Sequence, residues 1–279
     1  IRYYGASPNN YIYFNCSDYS NQSSSTCETW RIIGTFGNKT KLIRNSSIGE
    51  YSWDNKDTST GAKSAYGKND WTDARLMKLL NQGYESETTG GSLYYNSGSG
   101  NCYSGQNNAT TACDFTSTGI KNDTTRNMIS DNTYSLLGWN NNSIYSNQIY
   151  EYERSTGSVY TGTPTSWTGK VGLAYVSDYG YAADLSKCTK QLGSYNDSTC
   201  ASNNWMKAII TNNSTNASGW LLTHYYGDSC DTWRTYWAGN AGYSGAYYAF
   251  EVTPVLYLKY RISINSGTGT SSDPYQISV

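Results

Sequence analysis

The sequence is short of charge, histidine and long apolar runs, and each shortage excludes a class of function. Only 15% of its 279 residues are charged, the net charge is −1, and no basic stripe could follow a phosphate backbone. A single histidine, His224, practically excludes a histidine-based metal site. No apolar run approaches the roughly 20 residues that a membrane-spanning helix needs. We therefore expect no nucleic acid partner, no metal or other cofactor, and no membrane span in this chain.

Aliphatic residues are also scarce, which bears on whether the chain folds. Leu, Ile, Val and Phe supply 39 residues, a fraction low enough to suggest disorder. The chain also contains 29 Tyr and 9 Trp, which nearly double the material available for a core. We therefore expect a folded protein in which Tyr and Trp do much of the packing.

Seven cysteines divide into three near pairs and one remainder. Each pair encloses a loop rich in Ser, Thr and Asn, whereas cysteine ligands of zinc are usually about two to four residues apart. We therefore predict three local disulfides and, with them, an oxidising, extracellular location: Cys16–Cys27, Cys102–Cys113 and Cys188–Cys200. Cys230 is then free, paired outside the chain, or paired in a way that the spacing hides.

Two further patterns concern secretion. Eleven Asn-x-Ser/Thr triplets would accept glycans in a eukaryotic secreted protein. A chain this rich in Asn, Ser and Thr also makes such triplets by chance, which is the interpretation we favour. No signal peptide, lipidation motif or anchor is found, so we expect a processed form or an excised fragment.

Apolar periodicity predicts one strong helix and many short strands. Residues 70–83 have an N-cap at Asp70 or Thr72 and an apolar face, and residues 30–36 and 40–44 form a hairpin about Gly37-Asn38. Weaker patterns predict helices at 122–130 and 204–210, a hairpin at 143–161, and strands at 171–176, 220–222 and 252–258. Pro254 should restrict the last strand to an edge or a bulge. We predict a single α+β domain over residues 1–279, rich in short antiparallel strands, with disulfide-stapled insertions at 16–27, 102–113 and 188–200.

The segment between the apolar runs at 220–222 and 252–258 mixes Tyr, Trp, Gly, Asn and Ser without helical or strand periodicity. We interpret it as a loop held between two core strands, where recognition surfaces usually lie. Because Tyr and Trp offer large contact area with few torsions to fix, the predicted ligand-binding residues are Tyr225, Tyr226, Trp233, Tyr236, Trp237, Tyr243, Tyr247 and Tyr248. About half of these rings, Trp233 and Trp237 first, are expected to be core packing instead.

Three constellations could carry chemistry, and each has a plainer interpretation. His224 near Gly227-Asp228-Ser229 looks like part of a serine hydrolase, although a polar loop histidine is favoured. Glu151 and Glu153 on one strand face could serve a glycosidase, but solvated charges on an edge strand are commoner. Calcium could be held by four oxygen ligands whose spacing matches no established loop: Asp54, Asn55, Asp57 and Thr60. We assign no catalytic residue.

Eight short motifs follow one another along the chain: WRIIG (30–34), LIR (42–44), YSWDNK (51–56), NDWTDARLMKLLN (69–81), VGLAYVSDYG (171–180), NWM (204–206), WLLT (220–223) and VTPVLYLK (252–259). In this order the chain resembles uncharacterised surface proteins of low-GC Gram-positive bacteria, often secreted or pilin-like. The resemblance runs over about residues 1–279. It implies a distant relative of C-type lectins and the formylglycine-generating enzyme, in which a long C-terminal loop region displays the ligand surface. The stapled insertions depart from the plain pattern, and no catalytic residue is matched.

We therefore expect a non-enzymatic extracellular surface module for adhesion or ligand binding, with a glycan or a surface protein as its partner. One alternative is a structural subunit of an extracellular filament or coat, since low charge, terminal strands and the odd Cys230 suit self-assembly. The other alternative is a secreted hydrolase that uses His224.

Overall fold

The computed structural model describes residues 1–55, 66–81, 93–105 and 111–278. Its strands are β1 (Tyr11–Phe14), β2 (Glu28–Phe36), β3 (Lys39–Arg44), β4 (Glu50–Ser52), β5 (Ser99–Cys102), β6 (Thr111–Asp114), β7 (Asn132–Ser135), β8 (Ser166–Gly169), β9 (Val171–Gly172), β10 (Gly219–Trp220), β11 (Asp231–Thr235), β12 (Ala241–Gly245), β13 (Ala249–Glu251), β14 (Val255–Tyr257), β15 (Ile264–Ser266) and β16 (Gln276–Ile277). Its α-helices are α1 (Arg75–Leu80), α2 (Asp123–Met128), α3 (Ser146–Glu151), α4 (Val176–Tyr181), α5 (Ser198–Ser202) and α6 (Trp205–Ile210). A π-helical turn covers Tyr152–Thr156, and a 3-10 turn covers Leu192–Ser194. Across these residues, no helix has both the length and the apolar character needed to cross a membrane.

Two five-stranded sheets carry most of the strand pairing. The first has the order β1-β2-β3-β14-β9 and is antiparallel throughout. The second has the order β12-β11-β10-β13-β4, and only its β10–β13 pair is parallel. Two-stranded ladders join β5 to β6, β7 to β8 and β15 to β16. The predicted class is therefore confirmed at its coarse level, a strand-rich mixture of strands and short helices, while the single domain stays a prediction.

Aromatic rings make up a large part of the core, beside Leu, Ile and Val side chains. Trp53 contacts Trp71 at a centroid distance of 4.7 Å and Trp220 at 6.0 Å. Trp71 in turn meets Trp167 edge-on at 5.9 Å. Five tryptophans are at most 2% exposed, and their indoles fill volume that a core richer in Leu and Val would fill with aliphatic chains.

Several elements predicted from sequence are present. The hairpin of β2 and β3 turns at Gly37, whose φ of 61° is a conformation that glycine adopts without strain. α2 begins after Asn122, whose side chain accepts the Thr125 N–H at 2.9 Å, and α6 begins after Asn204, which caps Met206 in the same way. These short helices were predictable because their caps are encoded locally.

Other predictions were wrong in extent or type. The helix predicted at 70–83 begins only at Arg75. Residues 70–72 form a turn instead, because the Asp70 carboxylate accepts the Thr72 N–H. The predicted end at residue 83 lies outside the described residues. The strand predicted at 171–176 ends at Gly172. The edge position predicted for the strand around Pro254 is wrong. Pro254 immediately precedes β14, and β14 is an inner strand that pairs with β3 on one side and with β9 on the other.

The hairpin predicted at 143–161 is a helix that continues into the π-helical turn. Ser146, Ile149 and Glu153 are buried at spacings of three and four residues, which is the helical period. Ile149 and Tyr150 also fit a strand's alternation of buried and exposed residues, because Ile149 is buried and Tyr150 is exposed.

All three predicted disulfides are confirmed: Cys16–Cys27, Cys102–Cys113 and Cys188–Cys200. Cys230 is a free, partly exposed thiol. Burial, followed by the nearby Asp228 carboxylate, raises the pKa of this thiol to about 11, so it stays protonated and weakly nucleophilic at neutral pH.

A fully buried ion pair lies at the start of α4. Lys41 of β3 and Asp178 of α4 both have side chains with no exposed surface, and the Lys41 Nζ contacts the Asp178 Oδ2. Arg2 approaches the other Asp178 oxygen at 3.4 Å, and the Tyr175 N–H donates to Oδ2 at 3.0 Å. Burial alone would raise the pKa of Asp178, but Lys41, Arg2 and Arg154 outweigh it and hold that pKa below its usual range.

A second buried carboxylate, Glu153, lies beside this pair. Its Oε1 accepts the Ser177 N–H at 3.0 Å and the Thr223 hydroxyl at 2.6 Å, while Oε2 accepts from Arg154 at 2.7 Å and from the Ser177 hydroxyl. The Arg154 guanidinium lies 4.0 Å from the Tyr150 ring centroid. We call Arg2, Lys41, Glu153, Arg154 and Asp178 the buried ionic cluster.

We expect Lys41→Met to destabilise the protein by about 3 kcal/mol or more, because it leaves Asp178 buried without its closest cation. Lys39→Met on the same strand is the control. The Lys39 ammonium donates to the Asn132 side chain and the Asp131 carbonyl and pairs with no carboxylate of the described residues, so the change should cost less than about 0.5 kcal/mol. The double variant Lys41→Met/Asp178→Asn should cost less than the sum of its single changes. Urea unfolding monitored by tryptophan fluorescence measures these variants and Asp178→Asn alone, and additive costs would contradict a coupled pair.

Candidate functional site

The aromatic segment predicted as a loop is a β-hairpin in the second sheet. β11 pairs with β12 from Asp231↔Gly245 to Thr235↔Ala241. The sequence pattern did not indicate a strand here, because Gly242 and Gly245 interrupt the alternation of side chains by which strands are recognised. A Cβ on Gly242 would lie 2.6 Å from the Tyr236 ring, and one on Gly245 would lie 2.8 Å from the Tyr247 ring. The glycines thus let tyrosine rings lie flat against β12.

The eight predicted ligand residues fall into three groups. Trp233 is fully buried and Tyr225 nearly so, so the structure assigns both to the core. Tyr226, Tyr236 and Tyr247 are half-buried. The exposed rings are Trp237, Tyr243 and Tyr248. Trp233 was expected to be core and is; the same expectation for Trp237 is wrong, because that ring is 50% exposed at the turn between β11 and β12.

Three of the eight predicted ligand residues, Tyr236, Tyr247 and Tyr248, belong to a continuous row of side chains. The Arg234 guanidinium lies 3.7 Å from the Tyr236 centroid and 4.5 Å from the Phe250 centroid. Phe250 stacks on Tyr248 at 5.6 Å, and Tyr248 stacks on Tyr247 at 4.2 Å. Tyr66 meets Tyr247 edge-on at 5.9 Å and is 60% exposed. We call this row the aromatic strip: Tyr236, Arg234, Phe250, Tyr248, Tyr247 and Tyr66.

The aromatic strip rests on a rigid base. Phe250 packs on the buried Trp220 at 4.6 Å, and the Trp220 indole N–H donates to the Tyr51 carbonyl at 2.9 Å. Arg234 also donates to the Ser218 hydroxyl at 2.5 Å. Burial lowers the pKa of Arg234, partly offset by Tyr236, and no carboxylate of the described residues lies within ion-pair distance of it. The strip therefore combines fixed ring faces with an unpaired cation.

Sequence reasoning missed three members of the strip: Arg234, Phe250 and Tyr66. Arg234 faces the same side of the sheet as Trp220, its cross-strand partner, so the alternation along β11 could have indicated it. Tyr66 is far from the segment in sequence, and no local pattern could have placed it beside Tyr247.

The fold separates the predicted glycosidase pair, and it buries Asp54 and Asn55 of the predicted calcium set. Glu151 is exposed on α3, whereas Glu153 is buried with both oxygens occupied, so the two do not flank a cleft as a glycosidase pair would. Asp54 is buried, accepts the Lys68 N–H at 3.1 Å and lies 4.0 Å from the Arg75 Nε, which offsets its charge. The other predicted calcium ligands at 57 and 60 lie outside the described residues.

His224 is a buried histidine with a structural hydrogen bond. Its Nε2 accepts the Tyr160 N–H at 2.9 Å, and its backbone bridges to Gly138. Burial lowers the pKa of His224 to about 4, against the opposing effects of Asp70 and Asp228. A neutral imidazole whose Nε2 is already engaged is a poor general base for Ser229.

Asp228, Cys230 and Asp231 bring three potential ligand atoms within 4.8 Å of one another. The Asp228 Oδ1 already accepts the Cys230 N–H at 2.9 Å and the Asp231 N–H at 2.6 Å, which is the geometry of a turn-capping carboxylate. The turn accounts for this cluster, and we assign it no metal.

The buried His224 predicts a loss of stability in mild acid. Its pKa is about 4 in the folded protein and about 6.5 when unfolded, so as the pH falls from 6.5 towards 4 the unfolded state takes up a proton that the folded state does not. The stability present above pH 6.5 should therefore fall by up to about 3 kcal/mol by pH 4. Urea unfolding at pH 7, 5.5 and 4 measures this decline in stability. In His224→Gln, which has no imidazole to protonate, the part of the decline due to His224 should be missing. Parallel declines in both proteins would contradict this account.

Comparison of the chain with protein-family models, with curated proteins and with solved structures found no match in any of the three. The resemblance to Gram-positive surface proteins therefore stays a prediction. A function for this chain has to be argued from its own geometry.

Proposed function

We propose that this protein is an extracellular, non-enzymatic binding module that recognises carbohydrate through the aromatic strip. The observation that carries the proposal is the row of stacked rings with Arg234 held between Tyr236 and Phe250. Tyrosine faces stack against the C–H faces of sugar rings, and their hydroxyls, with the guanidinium, supply donors at the edge of the row. Because packing already fixes these side chains, little conformational entropy is lost on binding.

The location and the finer architecture belong to the same proposal. Three disulfides fit an oxidising compartment, where such bonds persist. The proposed lectin-like architecture is supported by the origin of the strip, since five of its six members come from residues 234–250, the C-terminal region that the resemblance implies. A surface protein is the alternative partner, because aromatic and arginine side chains also dominate protein interfaces.

Assembly into a filament or coat stays a second prediction, and the sheet edges limit how it could occur. The edge of β1 is covered, because Tyr275 donates to and accepts from its backbone at 2.9 Å. The edge of β9 is capped by Asn81, whose amide bonds to both the N–H and the carbonyl of Val171. A neighbouring strand would therefore have to add elsewhere, such as beside β15, whose residues are all exposed. Electron microscopy of the purified protein over a range of concentrations tests this.

The test of the strip is a glycan array with Tyr248→Ala and the double variant Tyr247→Ala/Tyr248→Ala. Each lost ring contact should weaken binding about fivefold, because a stacked aromatic contact contributes about 1 kcal/mol beyond its buried area. The melting temperature should change by only a few degrees, since Tyr248 is 45% exposed.

The matched control is Tyr260→Ala, an exposed tyrosine outside the strip that is 73% exposed. It should leave binding unchanged. Unaltered binding by the double variant, or the absence of any glycan on the array that the wild-type protein binds, would overturn the carbohydrate proposal. Capture of a protein partner that the strip variants no longer bind would replace it with the surface-protein alternative.

A further inference from the structure

A groove of about 400 Å³ lies on the other side of the β11–β12 turn, between that turn and α6. Trp237 forms one wall, and α6 with the loop that follows it forms the other. The polar residues of the lining are Ser202, Asn204, Lys207, Thr211, Asn213, Ser214 and Thr215. None of the described residues that line it is Asp or Glu.

The turn that carries Trp237 is held firmly although the ring is half exposed. The hydroxyl of Tyr179, which is fully buried, donates to the Gly239 carbonyl, and the Gly239 N–H donates to the Tyr236 carbonyl at 2.8 Å. Gly239 has a φ of 113°, and a Cβ there would lie 3.1 Å from the Tyr195 carbonyl oxygen. The exposed indole of Trp237, which we call the platform, therefore projects from a backbone that is fixed in place.

Lys207 supplies an unpaired charge beside this platform. Its side chain runs along Gly239, where a Cβ would lie 3.3 Å from the Lys207 Cδ. Within the described ranges no carboxylate lies within ion-pair distance of its Nζ. Lys207 is therefore a cation without an acidic partner in a groove lined by hydroxyl and amide groups. Such a groove is complementary to an anion that also carries hydroxyl groups able to form hydrogen bonds.

The opposite wall is ordered by its own hydrogen bonds. The Asn213 N–H donates to the Ala208 carbonyl at 2.7 Å, and the Ser214 hydroxyl accepts the N–H groups of Asn216 and Ala217 at 3.2 and 3.1 Å. Asn213 adopts a φ of 54°, which asparagine tolerates better than most residues. The groove therefore has fixed walls on both sides.

We propose that this groove binds an acidic saccharide, with a sugar ring stacked on Trp237 and its carboxylate paired with Lys207. The site is separate from the aromatic strip, and it goes beyond the proposed function by adding a second saccharide site and naming its class of sugar, a uronic acid. Its residues do not overlap with the strip, so the two sites are tested by different variants.

The experiment titrates the purified protein with tetragalacturonate and with its methyl-esterified form, by calorimetry and by the indole N–H signals in ¹H–¹⁵N spectra. The wild-type protein should prefer the acid over the ester, and the preference should shrink as salt is raised from about 50 to 200 mM. Trp237→Ala should weaken binding of both forms by about tenfold. Lys207→Met, which keeps the aliphatic stem against Gly239, should remove the preference for the acid, whereas Lys207→Arg should keep it.

Lys187→Met and Tyr260→Ala are the controls, each an exposed side chain outside both sites, and Tyr248→Ala reports separately on the strip. Three results together support the groove. Binding of tetragalacturonate survives in both controls, it is lost in Trp237→Ala, and it loses its preference for the acid in Lys207→Met. The inference is overturned if the wild-type protein binds neither form, or if Lys207→Met still prefers the acid. Loss in Tyr248→Ala but not in Trp237→Ala would move the saccharide to the strip, overturning the groove assignment while leaving the proposed function standing.

Discussion

The buried ionic cluster is the constraint on which much of the architecture depends. Two carboxylates, Asp178 and Glu153, lie side by side without exposed surface, and desolvating them is tolerable only if every oxygen is paired. Their partners come from the N-terminal segment, β3, the π-helical turn, the start of α4 and the stretch that follows β10. A chain with so few apolar residues therefore fixes distant segments to one another through polar groups, and displacing any one of these segments would leave a charge buried without its partners.

The second constraint is that aromatic rings supply a large part of the core. A buried tyrosine carries a hydroxyl that needs a partner, and several core tyrosines donate to backbone carbonyls, as Tyr179 does to Gly239 and Tyr175 does to Ser135. Burial raises the pKa of Tyr51 to about 12, which keeps this phenol neutral under ordinary conditions. Because rings are large and flat, packing them leaves some with one face in the core and one face in solvent. The aromatic strip is such a boundary: its inner member Phe250 packs on Trp220, and its outer members are open.

How far the sequence predicts this protein depends on the range of the interactions involved. The disulfides, the β2–β3 hairpin and the capped helices α2 and α6 follow from signals within a dozen residues, and they were predicted. The burial of Glu153 was not, because its partners Ser177 and Thr223 are 24 and 70 residues away. The β11–β12 hairpin was missed for a related reason: Gly242 and Gly245 interrupt the alternation in order to seat tyrosine rings, so the strand pattern is visible only once Tyr236 and Tyr247 are in place. Within the predicted ligand segment, composition could not separate the buried Trp233 from the exposed Trp237.

The backbone conformation of the β11–β12 turn places neighbouring side chains on two different surfaces. Tyr236 and Trp237 are adjacent in sequence, yet the first lies over Arg234 and Gly242 while the second lines the groove beside α6. They diverge because the chain reverses between them and Asn240, with the Tyr236 N–H donating to the Asn240 carbonyl at 2.9 Å and Gly239 in a left-handed conformation. Gly239 has two reasons to be glycine, its φ and its close approach to Tyr195 and Lys207, and neither concerns a ligand directly. Its role is to hold the turn against the core, so that the rings on either side of it are presented in fixed positions by the same buried contact with Tyr179.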